Sequence, residues 1–430
     1  MAQSYLMEMA IKDKDVQGLK HFTQLLPMLA RLRDRGCERD TAGNRKLFYD
    51  DYVKMVLLYM WNPLIGSMRM LQQVIALPKV FKVLGIRRFS LGSFSEAPAV
   101  FDPEHLKGIV EELAGQLRPL ALNPRLQDVK RALTLVDSTL LTKLPDLAKV
   151  ALCGPANGTA RSGRVHGFRL HMQLDLQTFS PGRVDLTSAR NAGEQREPRV
   201  LKEALKAEHC YVGDCAYSDR SLLEAIVAAK SSYVMRVAEN IQFEVLHERE
   251  LSDEDLAADV VRDALVRLGT PGEGTISHPV RLVEFQVKPR RRRTRKASKG
   301  GVKINGSRVS DRLLMVTDMT DLSADLVGLV YQQRYSVEIF FRFFKQILGM
   351  RHLLSQRENG VEIQVYCALI ACLMIQLMTG KKPDKRTVEM VGWFFLGLAS
   401  EQDVIDHLNK PDNTGVKLRA QEARRKKIGY

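Results

Sequence analysis

The stretch LTLVD at residues 133–137 decides the fold, because it carries a short apolar run directly into an aspartate. Such a run of apolar and β-branched residues is typical of a buried strand. The stretch CYVGD at residues 210–214 repeats the arrangement, with Gly213 allowing the close approach of another backbone or a phosphate. Because ligands of an α/β sheet bind beyond the strand ends, we expect Asp137 and Asp214 at a ligand crevice. Taken alone, each aspartate is more often a turn or helix-cap residue.

The elements around these aspartates follow a definite order. Hydrophobic periodicity predicts three strands, a helix, a strand, a helix and a strand, at residues 133–136, 169–176, 184–187, 200–207, 210–213, 219–230 and 233–237. A turn at Pro181 and Gly182 separates the second strand from the third. This is the order expected of a ribonuclease-H-like core, so we predict an α/β fold built on that core.

Four parts are predicted for the 430 residues, a length that suits two or three structural units. A helical DNA-binding domain comes first, a β-rich insertion with a basic loop divides the core, and a helical region with a basic tail follows. The bounds are 1–125 for the DNA-binding domain, 126–237 and 319–380 for the core, 238–318 for the insertion and 381–430 for the C-terminal region.

Helical spacing predicts individual helices at residues 46–61, 67–76, 79–84 and 323–350. A further helix begins at Ser93, whose spacing to Glu96 is that of a capping box. The segment RRFSLGSFSE at residues 87–96 combines a basic pair with a serine-rich helix start, which suits a contact to the DNA backbone. A plain helical bundle with an ordinary cap explains the segment equally well, so both interpretations stay open.

Charge and composition favour a soluble protein that binds nucleic acid. The net charge of +15 and the pI near 9.5 indicate a polyanionic partner, and the basic residues do not fall on one amphipathic segment as membrane binding would need. Hydrophobic residues make up 45% of the chain, which argues against disorder. The most apolar run, residues 365–378, is shorter than the roughly 20 residues of a membrane span and predicts a buried helix.

The N-terminus lacks the basic-then-apolar layout of a signal peptide, so the cytoplasm is the expected compartment. The six cysteines include no CxxC pair. His209, Cys210 and Cys215 are close in sequence, but zinc ligation requires two separated ligand pairs with standard spacing. We therefore expect reduced, buried thiols.

A dense basic run, KPRRRRTRKASK at residues 288–299, is too highly charged to pack inside the protein and predicts an exposed loop. Its arginines are candidates for gripping DNA phosphates: Arg291, Arg292, Arg293 and Arg295. A nuclear-localisation signal and a solvated run without function remain alternatives.

One predicted helix face combines an acid with several cations. In YQQRYSVEIFFRFFK at residues 331–345, the polar positions recur every three or four residues: Tyr331, Arg334, Glu338, Arg342 and Lys345. An acid among three cations suits a metal ligand whose neighbours hold phosphates. A solvent face with pairs such as Glu338–Arg342 is the simpler alternative.

These motifs together resemble the DDE transposases of the bacterial insertion sequence 4 family. The spacing from Tyr331 through Arg334 and Glu338 to Lys345 is similar to the YREK signature of that family, and the stretches around Asp137 and Asp214 resemble its two aspartate motifs. The segments RLH at residues 169–171 and YVMR at residues 233–236 are similar as well. The resemblance covers about residues 45–380.

The resemblance implies that Asp137, Asp214 and Glu338 are catalytic and hold two Mg²⁺ ions, with Mn²⁺ as a substitute. It implies binding of terminal inverted repeats, cleavage of the DNA ends by water, and attack of the freed 3′-hydroxyl on target DNA. Tyr331, Arg334, Lys345 and Arg342 would then bind DNA. It also implies that the protein forms a dimer in the synaptic complex. The implied location is the cytoplasm of a bacterium, in association with the nucleoid. His171 is a marginal candidate near the site, and a strand histidine satisfied by hydrogen bonds is the simpler interpretation.

Two departures from the family pattern concern aromatic residues. Tyr335 stands where the family often has tryptophan, and Trp61 and Trp393 are the only tryptophans, both outside the insertion. Phe243 or Phe285 would have to hold a flipped base if the cleavage route forms DNA hairpins. A DNA-binding repressor without catalysis, and a metal-dependent nuclease without strand transfer, remain alternative functions.

Overall fold

The computed structural model describes residues 22–35, 45–62, 65–120, 122–141, 168–188, 197–269, 276–287, 312–349, 354–355, 357–380, 382, 385–395 and 397–409. The predicted basic loop, with the four arginines proposed to contact DNA, and the basic tail at residues 424–427 lie outside these ranges. The chain divides into two compact units, one of Met1–Ile109 with Phe343–Tyr430 and the other of Val110–Arg342. The four-part division by sequence stays a prediction.

A sheet in the second unit contains, within the described residues, nine strands in the order β3-β2-β1-β4-β5-β9-β8-β7-β6. Their bounds are β1 (Ala132–Leu140), β2 (Phe168–Asp175), β3 (Ser180–Ser188), β4 (His209–Gly213), β5 (Ser232–Val237), β6 (Phe243–Glu248), β7 (Val260–Leu268), β8 (Val280–Gln286) and β9 (Arg312–Thr317). Strands β1, β4 and β5 are parallel, whereas β1, β2 and β3 form an antiparallel meander. The first five strands therefore have the ribonuclease-H-like arrangement, which confirms the predicted fold class.

The helices in the described residues are α1 (Phe22–Ala30), α2 (Tyr49–Trp61), α3 (Met68–Ile75), α4 (Pro78–Leu84), α5 (Leu91–Glu96), α6 (Lys107–Gly115), α7 (Glu197–Lys202), α8 (Arg220–Ala228), α9 (Asp253–Ala257), α10 (Ala324–Gln332), α11 (Tyr335–Gly349), α12 (Glu358–Thr379), α13 (Lys385–Phe395) and α14 (Glu401–Asn409). Side-chain caps fix several of their starts. Ser67 accepts a hydrogen bond from the backbone N–H of Met70, and Asp219 accepts one from that of Leu222.

Side chains alternate between the two faces of the sheet, and each face is covered by helices. On the back face, Val136 and Met235 pack in one cluster with residues of α7 and α8 such as Leu201 and Leu223. On the front face, α10 packs against β4 and β5. The front face also carries Asp137, because this residue follows Val136 in the strand.

A buried ion pair joins β7 and β8, which belong to the part of the sheet beyond the first five strands, to the loop before α10. Arg281 on β8 is 1% exposed, and its guanidinium donates to both carboxylate oxygens of Asp263 on β7, at 2.8 and 2.7 Å. The same guanidinium donates to the backbone carbonyl oxygens of Met319, at 3.3 Å, and of Leu322. Strands β7 and β8 thus fix the segment that leads into α10, and the loss of either charged partner would leave the other buried and unpaired.

Three local expectations were wrong. Asp137 does not end its strand, because β1 continues to Leu140 through its pairing with β2. The hairpin between β2 and β3 turns at residues 176–179, where Phe179 has a φ of 55°, and Pro181 and Gly182 already belong to β3. The cap of α5 is Ser90, whose hydroxyl accepts from the backbone N–H of Ser93.

The long helix predicted at residues 323–350 is also wrong, since it is broken between α10 and α11. At the break, the backbone N–H of Arg334 donates to the carbonyl of Tyr331 at 3.0 Å, and that of Val337 donates to the carbonyl of Arg334 at 3.1 Å. These bonds span three residues instead of four, so the chain tightens locally before it resumes the α-helix. Arg334 therefore lies in the turn and Glu338 in the first turn of α11.

In the first unit, α12 is a core helix, as predicted for residues 365–378. The described part of the chain contains one helix long and apolar enough to cross a membrane, residues 359–377, and 89% of it is buried within the protein. Around it, Tyr49 stacks on Phe101 with ring centroids 4.5 Å apart, and the side-chain amide of Asn359 donates to the carbonyl of Phe101. Burial on all sides is the reason that this helix lacks a polar face.

Gly213→Ala is expected to lower the free energy of unfolding by about 1–3 kcal/mol, the usual cost of overpacking a core. A Cβ atom there would lie 2.8 Å from Met235 Sδ and 2.9 Å from Val136 Cγ2. Urea denaturation followed by circular dichroism measures the change. Gly108→Ala is the matched control, since its Cβ would meet nothing within 4 Å and alanine favours a helix. Equal stabilities of the two variants would contradict the close packing of β4 between β1 and β5.

Candidate metal and DNA site

The strand register brings three charged residues to one level on the front face. Leu135 on β1 pairs with Val212 on β4, and Val212 pairs with Val234 on β5, all in parallel. Counting two residues on from Leu135, Val212 and Val234 gives Asp137, Asp214 and Arg236. Because neighbouring strands are about 4.8 Å apart, the two carboxylates stand side by side. The aspartates predicted from separate motifs are therefore brought together by the sheet.

The turn after β4 fixes the backbone at Asp214. Its Oδ1 accepts a hydrogen bond from the backbone N–H of Ala216 at 2.9 Å and so caps the 3₁₀ turn Cys215–Tyr217. Tyr217 in that turn is buried on the back face with Val136. Cys215 is exposed, which contradicts the expectation of buried thiols at this position, whereas Cys210 is buried as expected.

Arg334 connects the strand acid to the helix acid. Its Nη1 lies 3.4 Å from Oδ2 of Asp137, and its Nη2 donates to Oε1 of Glu338 at 2.6 Å. The alternative pairing of Glu338 with Arg342 is wrong, since the guanidinium of Arg342 instead lies over the ring of Tyr335, with its CZ 5.2 Å from the centroid, and bonds to its hydroxyl. Asp137 and Glu338, 201 positions apart in the sequence, thus approach the same guanidinium.

The electrostatics at Asp137 reflect this convergence of acids. The pKa of Asp137 is raised from its ordinary value of 3.8 to about 6, mainly by burial and in addition by the nearby charges of Asp214 and Glu338. The backbone N–H of Ser138 and the charge of Arg334 oppose the rise in pKa. Three acids therefore act on one another here, and the charge of Arg334 offsets only part of their effect on Asp137.

Tyr331 lies beside the same acids on α10. Burial raises the pKa of its hydroxyl, the charge of Asp214 raises it further, and the charges of Arg334 and Arg236 lower it. The Tyr331 hydroxyl is therefore within electrostatic range of Asp214, Arg334 and Arg236. Sequence analysis noticed Arg236 as part of the YVMR segment but gave it no role; the register of β5 reveals its place.

The donor chemistry fits a divalent cation. Within the described residues, no three acidic, histidine or cysteine side chains are near enough to share one ion in this arrangement. Carboxylate oxygens are nevertheless the ligands that Mg²⁺ and Mn²⁺ prefer, and Asp137 and Glu338 both approach the position of the Arg334 guanidinium. The donor set therefore suits a divalent cation in its chemistry, while the Arg334 guanidinium lies between two of the acids.

Three further predicted residues lie on β2 and α11. His171 pairs with Ser138 in the β1–β2 ladder and so faces the back of the sheet, where its Nε2 lies 2.9 Å from the Thr187 hydroxyl. This contradicts its candidacy for the site. Lys345 is exposed on α11, two turns after Glu338. Arg342 is exposed beside Tyr335.

The two phenylalanines considered for a flipped base differ in availability. Phe285 on β8 is buried, and a Cβ atom on Gly328 of α10 would lie 2.6 Å from its ring. That ring is therefore enclosed by α10. Phe243 lies at the edge strand β6 with the guanidinium of Arg262 5.6 Å from its ring centroid.

Asp137→Asn is expected to stabilise the metal-free protein above pH 6 and to have little effect near pH 4. The native state binds the Asp137 proton more tightly than the unfolded chain does, so stability decreases as the pH rises from about 4 to about 6. The two-unit rise corresponds to on the order of 3 kcal/mol at most. Urea unfolding at several pH values measures the difference, with the exposed Asp321→Asn as control. A stability difference that is independent of pH would contradict the raised pKa of Asp137.

Comparison with known proteins bears on the family of this chain. Residues 129–374 match the family described as Transposase DDE domain. A protein of Sinorhizobium fredii (strain NBRC 101917 / NGR234) that bears the name transposase y4zB is 27% identical over 266 residues, which are 62% of this chain and 65% of that protein. A protein of Geobacillus stearothermophilus, named as a transposase for insertion sequence element IS5377, is 26% identical over 231 residues, 53% of this chain and 54% of that protein.

The chain thus spans between about half and two thirds of the length of these curated relatives. Among solved structures, a piggyBac transposase synaptic complex with hairpin DNA has a TM-score of 0.40 and 11% identity, over 96% of this chain and 86% of that chain. The two structures are therefore only weakly similar. The family match covers more than half of the chain, and the chain therefore belongs to the DDE transposase family, as its motifs predicted.

Proposed function

We propose that this protein is a transposase that binds the terminal inverted repeats of an insertion sequence, cleaves the DNA ends and transfers them to target DNA. The observation that carries the proposal is the convergence of Asp137 and Glu338 on Arg334, with Asp214 on the adjacent strand. Membership of the DDE transposase family supports the same reaction class. The insertion sequence 4 family is the subgroup that the YREK spacing indicates.

DNA is the proposed partner. The net charge of +15 favours a polyanion, and acids that bind divalent cations favour one whose phosphates those cations can contact. A protein that only bound DNA would gain nothing from three carboxylates facing a polyanion. Joining two element ends requires that two active sites meet, so we propose a dimer in the synaptic complex.

Asp137, Asp214 and Glu338 are the proposed catalytic acids and the proposed ligands of two Mg²⁺ ions, with Mn²⁺ as a substitute. Divalent cations bound there would supply Lewis-acid activation of the attacking oxygen and stabilisation of the leaving oxygen. The carboxylates hold the negative charge that retains the cations. They would also orient the attacking oxygen, first that of water and then that of the 3′-hydroxyl of the cleaved strand.

Arg334 has a proposed double role. Without DNA its guanidinium neutralises Asp137 and Glu338, and with DNA it would turn to a phosphate oxygen, for which its planar donors are suited. Tyr331 and Lys345 would hold further phosphates, and Arg342 would assist from beside Tyr335. The arginines of the basic loop, Arg291, Arg292, Arg293 and Arg295, are proposed to grip the DNA backbone.

Glu338→Gln is expected to reduce DNA cleavage by on the order of 10³-fold while DNA binding persists, because several kcal/mol of metal-assisted stabilisation depend on its charge. The assay uses a labelled duplex that carries the flanking inverted repeats, with Mg²⁺ or Mn²⁺ and a target plasmid. Asp137→Asn and Asp214→Asn should behave alike, and the exposed Glu111→Gln should cleave as the wild type does.

The products separate the alternatives. Release of ends that join to the target supports a transposase. Release without joining supports a nuclease, and binding without cleavage under either metal supports a repressor.

Arg334→Gln is expected to reduce cleavage without weakening metal binding. Loss of the guanidinium removes a competitor for the Asp137 and Glu338 carboxylates, so the affinity for Mn²⁺ should be unchanged or higher. Cleavage should decrease by roughly 10–100-fold, the effect of one charged hydrogen bond to a phosphate. Calorimetric Mn²⁺ titration and single-turnover cleavage measure the two effects, with the exposed Arg199→Gln as control. Weaker Mn²⁺ binding would contradict the assigned role of Arg334.

A further inference from the structure

A hydrogen-bonded cluster on the back face contacts the strand that carries Asp137. The hydroxyl of Ser138 donates to Oε1 of Glu197 at 2.8 Å and accepts from Nη1 of Arg169 at 3.1 Å. Arg169 also forms an ion pair with the same Glu197 oxygen. The three residues come from β1, β2 and the first position of α7. Sequence analysis gave none of them a role.

The cluster reaches the site through one backbone group. The backbone N–H of Ser138 donates to Oδ1 of Asp137 at 2.7 Å. Because side chains alternate along a strand, the Ser138 hydroxyl points to the back face while the Asp137 carboxylate points to the front. Glu197 is therefore not a further ligand of the front-face site, and its effect on Asp137 passes through Ser138.

Near Asp137, strand β1 is hydrogen-bonded to a neighbouring strand on one side. Its ladder with β4 ends at the pair Leu135–Val212, whereas its ladder with β2 continues to Leu140. Asp137 thus belongs to a strand segment with a ladder on one side. The Ser138 cluster ties that segment to α7, on the side of the sheet opposite to α10 and α11.

The unsatisfied polar atoms of the cluster indicate that it does more than stabilise the fold. Glu197 is 1% exposed, and among the described residues its Oε2 has no hydrogen-bond partner, nor does the buried Nε of Arg169. A buried ion pair with unsatisfied atoms usually contributes less to stability than apolar residues of the same size. This cluster instead fixes the position of one hydroxyl, because two charged side chains bond to it from two directions.

We propose that Arg169 and Glu197 are positioning residues, which orient Asp137 for metal binding through the hydroxyl and the backbone N–H of Ser138. The inference rests on the metal site of the proposed function. Partners that orient a metal ligand typically change metal affinity by about 10–100-fold when they are removed. Deletion of the Ser138 hydroxyl should therefore weaken the affinity for Mn²⁺ by about that factor.

The test measures Mn²⁺ binding to the full chain by calorimetry and by the electron paramagnetic resonance of free Mn²⁺. Ser138→Ala is expected to bind Mn²⁺ more weakly, while Ser138→Thr keeps the hydroxyl and should bind as the wild type does. Thr134→Val is the matched control, because Thr134 lies on the same strand and face and its hydroxyl contacts His209 Nδ1 at 2.7 Å, not an acid. Thermal unfolding of each variant verifies that it is folded.

Glu197→Gln extends the test to the cluster itself. It should weaken Mn²⁺ binding like Ser138→Ala, and combining the two should add little, since both act through the same hydroxyl. If wild type and Ser138→Ala bind Mn²⁺ equally, the positioning role is refuted while the metal site stands. If the wild type binds no Mn²⁺, the metal site of the proposed function fails and the positioning role fails with it. Equal weakening by Thr134→Val would assign the effect to strand stability alone and also refute the proposal.

Discussion

Backbone hydrogen bonds between β1, β4 and β5 hold these strands parallel, in a register that brings Asp137 and Asp214 level on one face. The rest of the candidate site is arranged around this pair. Gly213 is required because the strands and Tyr217 leave no space for a Cβ atom. Two carboxylates at one level create a local excess of negative charge, so every further group at the site either balances that charge or adds to it.

The third acid comes from a part of the chain beyond the added strands. Strands β6 to β9 extend the same sheet, and the buried Arg281–Asp263 pair anchors the loop that leads into α10. Gly328 lets α10 lie directly on Phe285 of β8. The added strands thus do more than separate two halves of a core: they provide the surface on which α10 lies and hence fix where α11 begins.

Arg334 owes its place to the break between α10 and α11. In the single helix expected from the sequence, its side chain would extend from a helix face like that of Arg342. In the turn, the guanidinium instead reaches both Asp137 and Glu338. Apolar periodicity continues through residues 331–345 and gives no sign of the break, because the pattern depends on burial and not on the hydrogen bonds of each turn.

The sequence by itself determined the fold class and the family, because strand and helix periods, the order of elements and the spacing of acids are local or linear properties of the chain. It also singled out Asp137, Asp214 and Glu338, whose catalytic role stays a prediction. Tertiary structure alone decided that Asp137 lies within its strand, that His171 faces away, and that Ser138, Arg169 and Glu197 meet behind the site. Residues so far apart in the chain become neighbours only through sheet register and helix packing, which no local pattern encodes.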